Sequence, residues 1–389
     1  MCHRPVKSPA GQTLPARHDS AENETGGILT IDLDAIVSNW RELRGRAAPA
    51  HCAAVVKADG YGCGLEPVTA ALTKGGCETF FVAHLAEGRR LRAIAPEATI
   101  YVLNGLLPAT AVAYVGFNLR PVIGSLAELA EWQAFVTSTG WNGGAALHAD
   151  TGMNRLGLSF EEAVWLANQP KSDRRGLVLL MSHLACAEAP DHPLNARQMA
   201  GFRALRTMFP GIPGSLANSS GVFLGPDAHH DLVRPGVALY GANPTPAHLN
   251  PMRPVIELRG RIVQVRTAAE GETVGYRATW TAKRFTRIAV VSLGYADGFL
   301  RAASARDDKP GAEAIVAGRR CPLAGLISMD LLAVDVTELP EELPRRGDFV
   351  TLIGQDIGVD DLASHAGTIA YEVLTSLGRR YQRVWVPTF

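Results

Sequence analysis

The chain has 389 residues and a formal net charge of zero, with 47% hydrophobic and 20% charged residues. That length exceeds what one core usually organises, so two domains are expected. The balanced charge leaves no basic excess to neutralise a phosphate backbone, which argues against nucleic acid as a partner.

Residues 1–26 are rich in Pro, Gly, Ser, His and charge and read as a flexible tail, neither a secretory signal nor a membrane anchor. No later run approaches the length of a membrane-spanning helix. A strand-like run at 28–33 comes next and is expected to pair outside the barrel described below. A helix is expected over 34–43. From 50 to 240 short apolar runs alternate with amphipathic stretches. The runs at 52–57, 79–83, 99–103, 119–123, 145–149, 177–183, 215–218 and 232–240 give eight candidate strands. Helical patterns lie between most of them, at 65–74, 86–94, 125–137, 160–168 and 195–208. Eight such alternations predict an α/β chain whose first domain, over 27–250, is a (β/α)8 barrel of TIM type. A doubly wound open sheet competes, but no GxGxxG follows the first strand.

The texture then changes, with a boundary expected in 243–254. Runs at 255–265, 287–293, 313–316, 331–336, 349–353 and 383–386, separated by Gly, Pro and Asp turns, predict a mostly β domain over 251–389. Short helices are expected at 360–366 and 370–377. Six scattered cysteines (Cys2, Cys52, Cys63, Cys77, Cys186, Cys321) show no CxxC or His/Cys ligand spacing. This argues against a metal site and a disulfide scaffold, and fits a reducing cytoplasm.

Lys57 is the most informative residue. It ends the apolar run Ala53-Ala54-Val55-Val56 and precedes Ala58-Asp59-Gly60-Tyr61-Gly62. An ammonium is costly to desolvate where a buried strand meets a turn, so such a site favours the neutral amine, which attacks aldehydes. The segment alone is equally compatible with a lysine snorkelling out of a strand end. Catalytic groups of barrels sit at the C-terminal ends of strands. Lys57, Arg155, His183, Ser219 and Arg234 all fall at or just past predicted strand ends, after the first, fifth, sixth, seventh and eighth. The glycines near Ser219 and Arg234 suit phosphate binding, or simply make turns. His229 and His230 lie together without a carboxylate cluster and read as a solvated loop.

The segment Ala54-Val55-Val56-Lys57-Ala58-Asp59-Gly60-Tyr61-Gly62 resembles the pyridoxal-phosphate signature of alanine racemases. The resemblance continues in order through Asp150-Thr151-Gly152-Met153-Asn154-Arg155-Leu156-Gly157, Asn218-Ser219, Arg234-Pro235-Gly236, Gly294-Tyr295-Ala296-Asp297-Gly298 and Ser328-Met329-Asp330. It implies the cofactor pyridoxal 5'-phosphate, with Lys57 as its covalent anchor and as the base that takes the α-proton of D-alanine. Tyr295 would be the second base, acting on L-alanine and supplied by the partner subunit of a homodimer with shared sites. Tyr61, Asn218, Ser219, Gly236, Val237 and Tyr371 would bind the cofactor, mostly at its phosphate. Arg234 would face the ring nitrogen, and His183 would link Arg234 to the tyrosine. Arg155 would meet the phenolic oxygen of the cofactor and the substrate carboxylate. Met329 and Asp330, again from the partner, would complete the substrate end, with Tyr276 lining the entrance.

The chain departs from the family pattern at His148. Many members carry there a lysine, modified to a carbamate that holds the arginine, and histidine makes no such stable group. Arg155 is expected to be positioned by a bound anion such as chloride, by Asp150 or by His148 itself. Gly60 and Cys63 also replace a common alanine and histidine, and Asn154 a common glycine. The implied activity is interconversion of L- and D-alanine, supplying D-alanine for peptidoglycan or degrading it. A broader amino-acid racemase, a non-catalytic pyridoxal-phosphate-binding protein and a barrel decarboxylase are the other readings. The Gly-Tyr-Ala-Asp-Gly block argues against the last two.

Overall fold

The structure is a computed structural model and describes residues 24–386; most of the tail expected over 1–26 lies outside them. The first described strand, β1 (Gly27–Asp32), runs into a helix at Leu33–Ala47, started by the Asp32 carboxylate accepting from Ala35 N at 2.8 Å. Leu33, Ile36, Val37, Trp40 and Leu43 recur at helical spacing and are buried on one face.

The parallel strands then follow in chain order: β2 (His51–Cys52), β3 (Ala54–Val55), β4 (Thr79–Val82), β5 (Thr99–Val102), β6 (Arg120–Ile123), β7 (Ala145–His148), β8 (Leu177–Met181), β9 (Gly214–Ser215) and β10 (Leu232–Val233). β3 to β9 form one seven-stranded parallel sheet, each strand beside the next in sequence. β10 pairs with β2, while Arg234 N donates to Ala217 O at 2.9 Å on the other side, so the ring closes into the expected barrel. The first expected strand is bonded to both neighbours: Val55 N reaches Pro235 O at 3.0 Å and Val56 N reaches Phe81 O at 2.9 Å.

The eighth strand is much shorter than the run at 232–240. Pro235 has no N–H to donate, and beyond it Val237–Tyr240 winds into a 3-10 turn. The seventh also ends early, because Asn218 Oδ1 accepts from Gly221 N at 2.9 Å and starts a turn. A helix at Ala111–Gly116 was not anticipated.

The later region is an eight-stranded sheet of β1 with β11 (Ile256–Ala268), β12 (Thr286–Val291), β13 (Glu313–Val316), β14 (Arg319–Pro322), β15 (Leu332–Asp335), β16 (Phe349–Ile353) and β17 (Gln382–Val386). β1 lies antiparallel to β11 and parallel to β17, so the strand at the start of the chain belongs to this sheet rather than to the barrel. The sequence runs missed β14. It forms a hairpin with β13 through Ala317 and Gly318, both at positive φ (46° and 78°). One apolar core cluster runs from the barrel into this sheet. As a result β17 lies against the barrel mouth, where Trp385 Nε1 donates to Cys63 O at 2.8 Å. Among the described residues no helix is long and apolar enough to cross a membrane.

Candidate active site

Lys57 leaves β3 into a turn that runs left-handed: Ala58, Asp59, Gly60 and Tyr61 have φ of 54°, 56°, 63° and 51°. Three of the four carry a side chain, and each costs about 1–2 kcal/mol in that region. The surroundings hold it there. Glu87 accepts from Ala58 N at 2.7 Å with one oxygen, and from Ala83 N at 2.8 Å and His84 N at 3.0 Å with the other. Asp59 accepts from Leu65 N and from Arg90, which also grips Glu66. Desolvation, then the charge of Arg155, push the Lys57 ammonium below its usual range, with Glu87 opposing. The amine is therefore fixed in place and biased toward its neutral, nucleophilic form.

Arg234 leaves β10 into the barrel interior and is 4% exposed. Its guanidinium donates to Ser215 Oγ at 2.5 Å and Ser182 O at 2.6 Å, and lies 3.5 Å from His183 Nδ1. No carboxylate pairs with it among the described residues, and desolvation alone lowers it to about 9, so it stays charged at neutral pH. Desolvation, and then that charge, hold His183 well below the usual imidazole range. A buried cation with neutral acceptors and a neutral imidazole beside it suits a lone-pair acceptor better than a second cation.

Opposite the lysine turn, Ser219 Oγ accepts from Gly236 N at 2.9 Å and Ala238 N at 3.2 Å. Val237 is buried beside them, and Asn218 turns the chain just ahead. Tyr61 is stacked on Tyr240 at 4.6 Å and tilted toward Tyr371 at 6.1 Å. Its hydroxyl sits so close to Gly236 that a Cβ there would overlap it. Hydroxyls of serine and tyrosines gathered around glycine backbone make a cradle for an oxyanion.

Arg155 is carried by a loop after β7 that folds back on itself, Leu158 N donating to His148 O at 2.9 Å. Of the three expectations for what positions it, Asp150 acts on the loop rather than on the guanidinium. Its oxygens accept from Gly152 N, Met153 N and Asn154 N at 2.7–2.8 Å. His148 is buried beneath the loop and lowered to about 4, by desolvation first and then by Arg234, so it is neutral and offers Arg155 no negative charge. Arg155 itself is exposed, and its guanidinium has no hydrogen bond among the described residues.

Tyr295, Met329, Asp330 and Tyr276 gather elsewhere, on the β sheet. Tyr295 N donates to Ser328 O and Ala296 N to Met329 O, both at 3.0 Å. A Cβ at Gly294 would overlap the carbonyls of Ser328 and Met329, so the two turns are packed as one. Asp297 anchors the first by accepting from Gly294 N at 2.8 Å. Arg380 spans Asp297 at 3.2 Å and Asp330 at 2.8 Å. Beside them Tyr276, Leu326 and Leu331 line a cavity of about 830 Å³ that contains none of the barrel-mouth residues. No hydrogen bond or ring contact joins Tyr295 to the Lys57 cluster among the described residues.

The sequence reading missed Glu87, Tyr240, Arg380 and Arg383. Glu87 alone carries a local signal, lying three residues after His84 at a helix start, as a capping residue does. The others act through tertiary contacts.

A family model described as alanine racemase, N-terminal domain, matches residues 31–244, and one described as alanine racemase, C-terminal domain, matches 255–385. The alanine racemase of Methylobacterium nodulans is 53% identical over 367 residues, covering 94% of this chain and 98% of its own. A catabolic alanine racemase of Mesorhizobium japonicum is 47% identical over 368 residues, covering 94% and 95%. The crystal structure of alanine racemase from Bartonella henselae with covalently bound pyridoxal phosphate has a TM-score of 0.88 at 37% identity, with 93% of this chain and 100% of that one covered.

Proposed function

The chain belongs to the alanine racemase family of isomerases, and on that premise we propose that it interconverts L- and D-alanine with two bases, Lys57 and Tyr295. The observation that carries the reading is the desolvated amine of Lys57 on a rigid turn, facing the charge of Arg155. Pyridoxal phosphate is the cofactor of this family, and when bound it supplies the electron sink that makes the α-proton of an amino acid removable.

The residues fit that group. Lys57 Nζ is the amine for its aldehyde. Tyr61, Ser219, Gly236 and Val237 form the phosphate cradle, with Asn218 shaping the turn and Tyr371 at its rim. Arg234 would face the ring nitrogen: a guanidinium that stays charged would donate to the lone pair and, unlike a carboxylate, offers no acceptor to keep a proton on that nitrogen. That limits delocalisation and favours return of the proton to the α-carbon. His183 holds Arg234 and passes that contact on toward the tyrosine.

Racemisation needs a proton removed on one face and delivered on the other, which one group cannot reach. Lys57 Nζ takes the α-proton of D-alanine and Tyr295 Oη that of L-alanine, each returning a proton in the opposite direction. Arg155, whose guanidinium has no hydrogen bond among the described residues, binds the substrate carboxylate. Tyr295, Met329 and Asp330 come from the partner subunit of a homodimer, with Tyr276 at the entrance. The setting proposed is cytoplasmic, with neither nucleic acid nor membrane as partner.

Enantiomers have equal free energy, so net flow follows whichever is drawn off. We place the drain at D-alanine for peptidoglycan. The catabolic name of the Mesorhizobium relative favours the reverse; deleting the gene in its own host separates the two, since a need for added D-alanine marks the first role and loss of growth on D-alanine marks the second.

The primary test is chiral turnover of L-alanine beside L-serine, L-lysine and L-arginine with cofactor supplied. Fast D-alanine formation with little from the others is the expected result. Comparable turnover of several moves the chain to a broader racemase. No turnover of any, with cofactor bound, overturns the reading.

A further inference from the structure

Residues 374–378, the last turn of the helix Ala370–Ser376 and the two residues after it, lie against both the Lys57 turn and the Tyr295 turn. At Gly62 (φ 79°) a Cβ would overlap Leu374 O, and at Gly298 (φ 92°) a Cβ would overlap Ser376 O. Gly378 N donates to Asp297 O at 2.9 Å, inside the turn that carries Tyr295. Arg383, on β17, completes the connection. Its Nη1 donates to Gly62 O at 2.5 Å, and its Nη2 donates to Leu377 O at 3.2 Å and Gly378 O at 2.9 Å. One guanidinium thus ties the loop that aims the lysine to the segment locked on the loop that aims the tyrosine.

We propose that Arg383 is a positioning residue that couples the Lys57 turn to the Tyr295 turn, so that the lysine of one site and the tyrosine given to the partner's site move as one body. The proposal rests on the two-base, shared-site reading above. Its physical basis is threefold. Charge-assisted bonds from a planar fork are the strong, directional kind. The left-handed lysine turn needs more than its own backbone to persist. Both contacts to 374–378 are made at glycines with no slack for a side chain, so displacement at one turn is transmitted to the other. The Trp385 bond to Cys63 O is a second tie from β17, so loss of Arg383 loosens the turn without freeing it.

The test uses the full chain as cofactor-loaded dimer, with Arg383→Gln and Arg383→Lys. Hydrogen exchange is followed in peptides spanning 57–64 and 292–300. Arg383 touches only the first, yet exchange should rise about fivefold or more in both for Arg383→Gln. Arg383→Lys, which keeps the charge but not the fork, should give a smaller rise in both. It also serves as the informative variant if the glutamine form does not fold. A rise confined to 57–64 overturns the coupling.

A mutant cycle gives the second readout. Asp59→Asn perturbs the lysine turn and Arg380→Gln the tyrosine turn. With Arg383 present, the double variant's loss in kcat should differ from the product of the single losses by about threefold or more; with Arg383→Gln the product should hold. Simple products in both backgrounds overturn the proposal. A chain that turns over no amino acid in any variant removes the racemase reading instead, and the exchange result still decides the coupling.

Discussion

The barrel mouth and the Tyr295 edge meet solvent in opposite ways. Arg234 is 4% exposed and His148 8%, whereas Tyr295 is 41%, Met329 53% and Tyr276 68% exposed. On the barrel side burial does chemical work: it lowers Lys57, His148 and His183, each by desolvation before any charge acts. On the sheet side, rigid turns present aromatic and apolar side chains to water, the kind of surface that marks a place to be covered. On the shared-site proposal, one half of the site is thus tuned within the chain, while the other is shaped within the chain and left to be completed by contact.

The sharpest way to break this comparison is to remove the tuned amine. Lys57→Ala should abolish racemisation, a loss of about 10⁴-fold or more, together with the visible absorbance of covalently held cofactor. Retained covalent absorbance would identify another lysine as the anchor.

Tyr295→Phe tests the completed half. Racemisation should fall about 10²–10⁴-fold, the range of a lost acid–base group, while cofactor stays bound. Near wild-type turnover would end the two-base assignment. Mixing the two inactive variants goes further. If the tyrosine crosses the dimer, a random mixture regains about a quarter of wild-type turnover, because half the dimers then hold one intact site of two. If both bases act within one chain, mixing restores nothing.

Gly236→Ala probes the cradle between them. The added Cβ meets the Tyr61 hydroxyl, and Tyr61 is held by its stack on Tyr240 and cannot easily yield. Cofactor affinity should drop about 10–100-fold, and the cofactor-free chain, which carries the same overlap, should lose about 1–3 kcal/mol of stability. Unchanged affinity would remove Tyr61 and Gly236 from the phosphate cradle.

Much of the barrel side was legible in the sequence because its signals are local. Apolar runs followed by Lys57, Arg155, His183 and Arg234 place each at a strand end whatever the family. Strand ends were less legible. Pro235 and Asn218 stop the eighth and seventh strands through a missing donor and a side-chain turn, effects that an apolar run hides. The placement of β1 in the far sheet was anticipated, but the consequence was not: it draws β17 alongside, and with it Arg383 and Trp385 onto the lysine turn. No local pattern marks a residue whose partners lie more than 300 positions away. The family resemblance supplied Tyr295 and Met329, since nothing in their own turn distinguishes a base from an ordinary loop.

The smallest expected effect bears on His148, where the chain departs from its family. Its imidazole is buried beneath the Arg155 loop, faced by Arg234 and Arg155 on the repelling side and by Asp150 on the attracting side, and is lowered to about 4. The ordinary value is about 6.5. Between these values the unfolded chain binds a proton that the folded chain refuses, so stability falls as pH drops through that window and is unaffected above it. The full difference corresponds to about 3 kcal/mol. His148→Gln keeps a neutral polar group of similar size and removes the titration. Comparing urea midpoints of the cofactor-free chain at pH 4.5 and 7.5 should show the acid loss reduced by about 2–3 kcal/mol. A residual acid limb should remain, because His183 is lowered too and His230 falls to about 4. An unchanged limb would mean that water reaches His148 and that burial does not hold its imidazole neutral.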